Sequence, residues 1–229
     1  MKKKTLIALA IITGVLVLDQ IIKIWVKTNM VMGEEIHIIG DKIMFHFTEN
    51  AGMGFGMQFG GLNGKIALSI FRIIAIAGLS YYLYRIIKSG ENLFYVICIS
   101  LVIAGATGNL LDSALYGLIF DKGLVYDPRI EDWVAYSGLA QFSEDGYSGF
   151  LTGCVVDMFY CPVIDSHYPD WFPIVGGKPF LFFRPVFNVA DSAITISVFL
   201  MIIFYKKIFR KKTEENKNEK EQAEVQSEK

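Results

Sequence analysis

Charged and amide side chains interrupt the apolar stretches of this 229-residue sequence in pairs at helical spacing. The pairs are Asp19 with Lys23, Asn109 with Asp112, and Asn188 with Asp191. Residues three or four positions apart share one face of a helix. An ionisable side chain inside a membrane costs at least about 2.5 kcal/mol, so each pair is a candidate functional site.

A further carboxylate, Asp157, lies among apolar and aromatic residues in the segment 154–160. If Asp157 and Asp191 meet in the fold, they share one proton, because two close carboxylates cannot both ionise cheaply. One carboxylate then takes a proton from water while the other, protonated, polarises a carbonyl under attack. The two protonation steps belong to the pair, so the acid and the base are not assigned to individual residues.

The composition indicates that a membrane surrounds these groups. Hydrophobic residues make up 53% of the chain and charged residues 20%, below the roughly 25% of soluble domains. A helix needs roughly 20 apolar residues to cross a bilayer. Four segments meet this need, at about 6–26, 66–87, 93–111 and 186–205. We therefore predict an all-α membrane protein with four transmembrane helices, a small periplasmic β-sheet and an extended periplasmic loop.

Basic residues mark one side of the predicted membrane domain, residues 1–205. They flank the spans at 2–4, 85–88 and 206–212, whereas the loops 27–65 and 112–185 are rich in acids. Basic flanks lie in the cytoplasm. Both termini are then cytoplasmic, and the polar pairs converge near the outer surface of the bilayer. The charged tail 206–229 is predicted to be disordered.

The first outer loop contains two β-prone runs, 36–39 and 43–48, separated by Gly40 and Asp41. This pattern predicts a hairpin within a β-region at about 33–61. The larger outer loop is rich in Tyr, Phe and Trp, which is typical of an ordered cap at the membrane interface.

Four blocks of this sequence form a pattern: Asp19–Lys23, Thr48–Gly52, Gly105–Asp112, and Val155–Asp157 together with Phe187–Asp191. In their order and spacing they resemble signal peptidase II, the lipoprotein signal peptidase of bacteria. The resemblance covers about 6–117 and 153–205. It implies an aspartic endopeptidase that removes the signal peptide on the N-terminal side of a diacylglyceryl-modified cysteine, without a metal or a cofactor.

The resemblance also implies roles for individual residues. Asp157 and Asp191 match the catalytic aspartates. The positions that shape the site and hold substrate main chain are Asn50, Gly52, Asn109 and Asn188. Polar support comes from Asp19, Lys23 and Asp112.

Location and partners follow from the same resemblance. The enzyme lies in the bacterial cytoplasmic (inner) membrane as a monomer, with its active site on the periplasmic side. Its partners are diacylglyceryl-modified prolipoproteins, membrane lipids and globomycin-type cyclic peptide inhibitors. Nucleic acid is not expected, because no basic face accompanies the aromatic residues.

Two departures from the family pattern concern the outer side. The family usually has an arginine directly after the position of Asp112, where this chain has Ser113, and the candidate replacements are Arg72, Arg129 and Arg184. The chain also inserts roughly 35 residues, at about 118–152, which we interpret as a flap or lid over the cleft.

Several alternatives stay open at this point. The Asp19–Lys23 pair also fits a structural salt bridge, and Asn109 and Asn188 also fit interhelical hydrogen bonding. Residues 52–56 fit a flexible interface loop better than a phosphate-binding loop. Cys154 and Cys161 are more consistent with free thiols than with a disulfide. As whole functions, the alternatives to a peptidase are an ion-coupled transporter and an inactive scaffold with the same fold.

Overall fold

Apolar helices form most of the protein. The computed structural model describes residues 1–52, 60–162, 164–167, 179–182 and 186–206. The helices are α1 (Lys2–Asn29), α2 (Gly61–Lys88), α3 (Leu93–Leu111), the short α4 (Gly117–Ile119) and α5 (Val189–Ile203). A π-helical turn, Asp112–Tyr116, joins α3 to α4.

Three of the four predicted spans are long and apolar enough to cross a membrane, at Lys2–Asn29, Gly61–Lys88 and Leu93–Ile119. The fourth, α5, is apolar but has 15 residues, about 22 Å at about 1.5 Å per residue. It also begins three residues later than predicted, because Val186–Phe187 pair as a strand and Asn188 caps the helix. The side chain of Asn188 accepts a hydrogen bond from the backbone N–H of Asp191 at 2.9 Å.

A four-stranded antiparallel sheet adjoins the helices. The strands of the chain are β1 (Glu35–Ile39), β2 (Ile43–Asn50), β3 (Val125–Asp127), β4 (Asp132–Val134), β5 (Val155–Tyr160), β6 (Ile164–His167), β7 (Pro179–Phe182) and β8 (Val186–Phe187). The main sheet has the order β1-β2-β5-β8, and β3–β4 and β6–β7 form separate pairs. The predicted hairpin is confirmed as β1–β2. The sequence pattern did not predict β5, which places Asp157 opposite Thr48 of β2.

Helix α3 packs against α1, α2 and α5, and small residues allow the close approach. A Cβ atom on Gly105 would overlap the backbone oxygen of Ala190, and one on Gly108 would lie 2.7 Å from Asp19 Oδ2. Close packing at small residues stabilises helix pairs in membranes. The Gly105–Gly108 stretch of α3 therefore brings α1 and α5 to the same place.

Two apolar clusters hold the helices and the sheet together. The first joins α1, α2 and α3 and contains Ala8, Leu83, Ile86, Ile87, Tyr95, Val96, Ile99 and Ile103. The second lies where the sheet meets α1 and the segment after α3, and contains Val26, Met30, Phe47, Tyr116, Phe120, Ala140, Val156 and Met158. Because Phe120 and Ala140 belong to this second cluster, the insertion 118–152 is part of the apolar core.

Several predictions stay predictions. The orientation in the membrane is one of them. Most of the tail, residues 207–229, lies outside the described residues, as do residues 53–59 of the glycine-rich loop and Arg184.

Candidate active site

A buried lysine organises the inner part of the site. Lys23 Nζ lies 2.8 Å from Asp19 Oδ2 and 2.7 Å from Asp112 Oδ2. It also donates a hydrogen bond to Asn109 Oδ1 at 3.0 Å. The side chains of Lys23, Asp19 and Asp112 are almost completely inaccessible to solvent. One cation therefore balances two buried carboxylates and holds the amide of Asn109 at the same time.

The two carboxylates of this cluster also bind backbone groups of other elements. Asp19 Oδ1 accepts a hydrogen bond from Ala190 N at 2.9 Å, and Asp112 Oδ2 accepts one from Val156 N at 3.3 Å. Asp112 Oδ1 accepts from Gln20 Nε2 at 2.8 Å. The cluster therefore fastens α1 and the end of α3 to α5 and β5. These are the elements that carry Asp191 and Asp157.

Asp157 and Asp191 are brought to one place through two asparagine side chains. Asp157 Oδ1 accepts a hydrogen bond from Asn188 Nδ2 at 2.6 Å. Asn188 Nδ2 also donates to Asn109 Oδ1 at 3.1 Å. Asn109 Nδ2 in turn donates to Asp191 Oδ1 at 2.8 Å. A continuous chain of side-chain hydrogen bonds thus connects the two aspartates.

The environment of Asp157 favours its protonated form. Its residue is 3% exposed, and burial followed by the nearby charge of Asp191 raises the pKa of Asp157 to about 7. The positive charge of Lys23 and the hydrogen bonds from Asn188 and Asn50 act in the opposite direction. A carboxyl group with a pKa near neutrality can hold or release a proton under physiological conditions.

Asn50 and Gly52 approach the pair from the end of β2. Asn50 Nδ2 donates to Asp157 Oδ2 at 3.4 Å, and Asn50 Oδ1 accepts from Gly52 N at 2.8 Å. The second bond closes a tight turn of the kind that asparagine side chains stabilise. Gly52 has φ = +110°, a conformation that favours glycine. The structure therefore brings all nine candidate residues from the sequence into one connected region.

Helix α2 contributes a polar stripe that the sequence pattern revealed only in part. Lys65 Nζ donates to Ala51 O at 3.0 Å, and Ser69 Oγ donates to Leu151 O at 3.1 Å. Arg72 contacts Ser113 Oγ at 3.4 Å and Gly52 O at 3.5 Å. The spacing 65, 69 and 72 places all three side chains on one helix face.

Of the three arginines that could stand in for the arginine expected at position 113, only one reaches Ser113 among the described residues. That residue is Arg72. Arg129 lies in an exposed ion pair with Asp127, at 2.6 Å.

A second buried ion pair, between Lys27 and Glu49, was not predicted from the sequence. The Lys27 ammonium also lies 5.1 to 5.3 Å from the ring centroids of Phe120, Tyr136 and Tyr147. A signal was present in the sequence, because Lys27 follows Lys23 by four residues and therefore shares its helix face.

Glu49 anchors the insertion 118–152. Its carboxylate accepts hydrogen bonds from Leu124 N at 2.9 Å and from Tyr136 Oη at 3.0 Å. Trp133 covers Lys65, with the ammonium 5.5 Å from the ring centroid. The hypothesis of a lid stays a prediction, and these contacts identify the points at which such a segment is fixed.

Cys154 and Cys161 are free thiols in the structure. Strand β5 separates them by roughly 20 Å at about 3.3 Å per residue, whereas a disulfide needs Cα atoms within about 7 Å. Burial raises the pKa of Cys154 to about 11, so its thiol stays protonated at neutral pH.

The helices and the polar cluster define a multi-pass membrane protein with a carboxylate pair beside the ends of its apolar helices. A family model described as signal peptidase (SPase) II matches residues 11–207. The chain belongs to the signal peptidase II family and is a membrane protease, which confirms the resemblance found in the sequence.

Curated relatives agree with this assignment. A lipoprotein signal peptidase of Porphyromonas gingivalis is 42% identical over 201 residues, which cover 86% of this chain and 82% of the relative. Those of Amoebophilus asiaticus and Staphylococcus aureus are 33% and 31% identical, over 82% and 89% of this chain and 72% and 91% of the relatives.

A solved structure has a similar fold. It is a bacterial membrane enzyme determined by the in meso method at 2.3 Å resolution. The TM-score is 0.53 at 26% sequence identity, and the alignment covers 88% of each chain.

Proposed function

We propose that this chain is an aspartic endopeptidase that removes signal peptides from diacylglyceryl-modified prolipoproteins, cutting on the N-terminal side of the lipidated cysteine. The observation that carries the proposal is the hydrogen-bonded chain from Asp157 through Asn188 and Asn109 to Asp191. Membership of the signal peptidase II family and the names of the relatives support the substrate class.

In the proposed reaction, Asp157 and Asp191 share one proton and hold a water molecule. The ionised carboxylate takes a proton from this water as its oxygen attacks the scissile carbonyl. The protonated carboxyl group donates its hydrogen bond to the carbonyl oxygen, where negative charge develops. The intermediate then collapses, the C–N bond breaks, and the amine of the lipidated cysteine leaves with a proton from the pair. The two carboxyl groups end the cycle with the one proton that they had at the start.

The asparagines and the buried cluster hold this pair ready. Asn188 donates to Asp157 Oδ1 and Asn109 donates to Asp191 Oδ1, so each asparagine fixes the orientation of one carboxylate. Asp191 lies in the first turn of α5, where the helix dipole favours a negative charge. Asp157 lies on a strand, where burial and the nearby charge of Asp191 raise its pKa to about 7.

The position of the site suits a lipid-bearing substrate in the cytoplasmic membrane. Asp191 is the third residue of α5, about 3 Å along the helix from its first residue. At this depth the carboxylates meet water, while the acyl chains of a substrate stay among the lipids. We place the site on the periplasmic side, and assign inhibition by globomycin-type cyclic peptides to the same cleft.

The distribution of acids disfavours the transporter alternative. Within the described helices and the π turn, the acids are Asp19, Asp112 and Asp191, and all three belong to the one polar cluster around Lys23 and Asn109. A proton or ion path would need ionisable groups distributed across the membrane.

The test is cleavage of a purified diacylglyceryl-modified prolipoprotein, with the released signal peptide identified by its mass. We expect cleavage by the wild type and a loss of about 10²- to 10⁴-fold in each of Asp157→Asn and Asp191→Asn. Asparagine keeps the shape of the aspartate side chain but cannot take up or release the proton. Asp41→Asn is the matched control, since the Asp41 side chain is 93% exposed in the β1–β2 turn.

Three outcomes would contradict the proposal in different ways. Cleavage that survives both substitutions excludes the dyad. Cleavage at another bond excludes the assigned specificity. A folded wild type that leaves the substrate intact favours the inactive scaffold.

A further inference from the structure

Arg72 is a cation in the interior of an apolar helix, eleven residues after α2 begins at Gly61. A charged side chain at such a position is costly, and it normally faces the protein interior or a water-filled cavity and has a partner there. Lys65 and Ser69 on the same face both make hydrogen bonds of 3.0 to 3.1 Å to backbone oxygens. The groups that Arg72 contacts therefore indicate the function of this charge.

The contacts of Arg72 within the described part of the chain are weak. No carboxylate there lies within ion-pair distance of its guanidinium. Its hydrogen bonds to Ser113 Oγ and Gly52 O are 3.4 and 3.5 Å long, beyond the usual 2.7 to 3.2 Å. A guanidinium has five N–H groups in a rigid fork, so these two long bonds leave most of its capacity for a ligand.

The two contacts of Arg72 lead to the two aspartates. Gly52 is held by Asn50, whose side chain also donates to Asp157. On the other side, Ser113 Oγ donates to the backbone oxygen of Asn109 at 3.1 Å, and the Asn109 side chain donates to Asp191. The guanidinium therefore lies between the two arms that position the catalytic pair.

Charge supports the same location. Asp191, Asp112 and Asp157 all attract the guanidinium electrostatically, with Asp191 contributing most. Arg72 is partly exposed, whereas Lys65 and Ser113 beside it are buried. The small side chain at position 113 leaves room for this guanidinium, because a longer one would meet it across the present 3.4 Å contact.

We propose that Arg72 binds a main-chain carbonyl of the peptide substrate next to the scissile bond, as a specificity-determining residue that reaches the cleft from α2. This inference rests on the proposed peptidase function. On substrate binding, the carbonyl oxygen replaces the long contacts of Arg72 with charge-assisted hydrogen bonds. The interaction holds the extended peptide across Asp157 and Asp191.

The experiment compares kcat/KM for the wild type and four variants of the full chain on a diacylglyceryl-modified prolipoprotein peptide. The variants are Arg72→Met, Arg72→Lys, the double variant R72M/S113R, and Arg85→Met as the control. Arg85 lies in the last turn of the same helix and is exposed, so its loss removes a basic residue of α2 away from the cleft. Thermal unfolding of each variant is measured in the same detergent.

We expect Arg72→Met to lower kcat/KM by about 10- to 100-fold, the effect of losing a hydrogen bond to a charged group. Arg72→Lys should retain part of the activity, because it keeps the charge but loses the fork. Restored cleavage in R72M/S113R would support the inference. Position 113 lies beside the guanidinium of Arg72, so an arginine there places its own guanidinium in the same part of the cleft. Arg85→Met should cleave as the wild type does.

A substrate series separates binding from a purely structural role. Each of the three carbonyls that precede the scissile carbonyl is replaced in turn by a thiocarbonyl, which is a poorer hydrogen-bond acceptor. One replacement should weaken cleavage by the wild type and leave the residual rate of Arg72→Met or Arg72→Lys unchanged. A structural role for Arg72 does not produce such coupling.

Failure of the inference and failure of the proposed function give different results. Wild-type and Arg72→Met enzymes with equal kcat/KM, or the absence of coupling at all three carbonyls, would overturn the role of Arg72 alone. A wild type that does not cleave the unmodified lipidated peptide would overturn the peptidase proposal and this inference with it.

Discussion

Lys23 and Lys27 lie one turn apart on α1, and both side chains are completely buried, yet they serve different regions. Lys23 is surrounded by the carboxylates of Asp19 and Asp112 and by an asparagine that binds Asp191. Lys27 has one carboxylate, Glu49, and three aromatic rings. One cation organises the candidate active site, and the other fastens the insertion 118–152.

The difference shows that the neighbours of a buried charge, rather than the charge itself, indicate its role. The Lys23 cluster is made of charged and polar side chains. Its carboxylates, Asp19 and Asp112, also accept hydrogen bonds from the backbones of α5 and β5, the elements that carry Asp191 and Asp157. The Lys27 cluster is largely apolar, and its aromatic faces stabilise the ammonium without a second anion.

The largest effect is expected from Lys23→Met. It leaves Asp19 and Asp112 buried side by side without their cation, which costs about 3–5 kcal/mol in the free energy of unfolding. It also removes the donor that holds Asn109, so cleavage should disappear in the protein that still folds. Thermal unfolding in detergent and single-turnover cleavage measure the two effects. An active variant of normal stability would remove the basis for assigning Lys23 to the site.

Lys27→Met is expected to be less damaging, at about 2–3 kcal/mol, because Glu49 keeps its hydrogen bonds from Leu124 and Tyr136. The double variant K27M/E49Q removes both charges and should recover to within about 1 kcal/mol of the wild type. It should also retain the wild-type cleavage rate per folded molecule. If the double variant folds normally but does not cleave, the Lys27 cluster contributes to the active site and the contrast fails.

Two glycines provide a smaller and matched comparison. A Cβ on Gly108 would press on Asp19 in the Lys23 cluster, and a Cβ on Gly123 would overlap the Tyr147 ring in the Lys27 cluster. Alanine at either position should cost about 1–3 kcal/mol through overpacking. We expect only Gly108→Ala to lower kcat in the folded fraction. Gly78→Ala is the control, because a Cβ there has no neighbour within 4 Å.

The last comparison is a dependence on pH that belongs to one region only. Because burial and Asp191 raise the pKa of Asp157 to about 7, the pair loses its shared proton as the pH rises through this value. Cleavage should therefore fall by about tenfold per pH unit above it. The K27M/E49Q variant should show the same limb as the wild type. A flat rate between pH 6 and 9 with unchanged folding would argue against proton sharing.

The sequence predicts the membrane class, three of the spans and the β1–β2 hairpin, because apolar length and alternation are local signals. It also marks Asp157 and Asp191 as candidates, since carboxylates are rare in apolar surroundings, and the structure connects the two through Asn188 and Asn109. It does not predict that β5 pairs with β2. Asp157 lies opposite Thr48, more than a hundred residues earlier in the chain, and no local pattern specifies that register.

The same limit explains why the sequence did not predict the Lys27–Glu49 pair and revealed only Arg72 of the α2 stripe. Lys27 and Lys65 lie near helix ends, where a charged side chain normally reaches water. Only the fold shows that Glu49 and the backbone of Ala51 meet them first. Arg72 was visible as a charge, but its contact with Ser113 depends on how α2 packs on α3.

The place of α5 in the sequence has a consequence for biosynthesis. Asn188, Ala190 and Asp191 all bind groups that precede them in the chain, on α1, α3 and β5. Before α5 joins the other helices, Asp157 lacks both the hydrogen bond from Asn188 and the second carboxylate. We therefore expect hydrolytic capacity to appear only in the step that brings α5 against α1, α3 and β5.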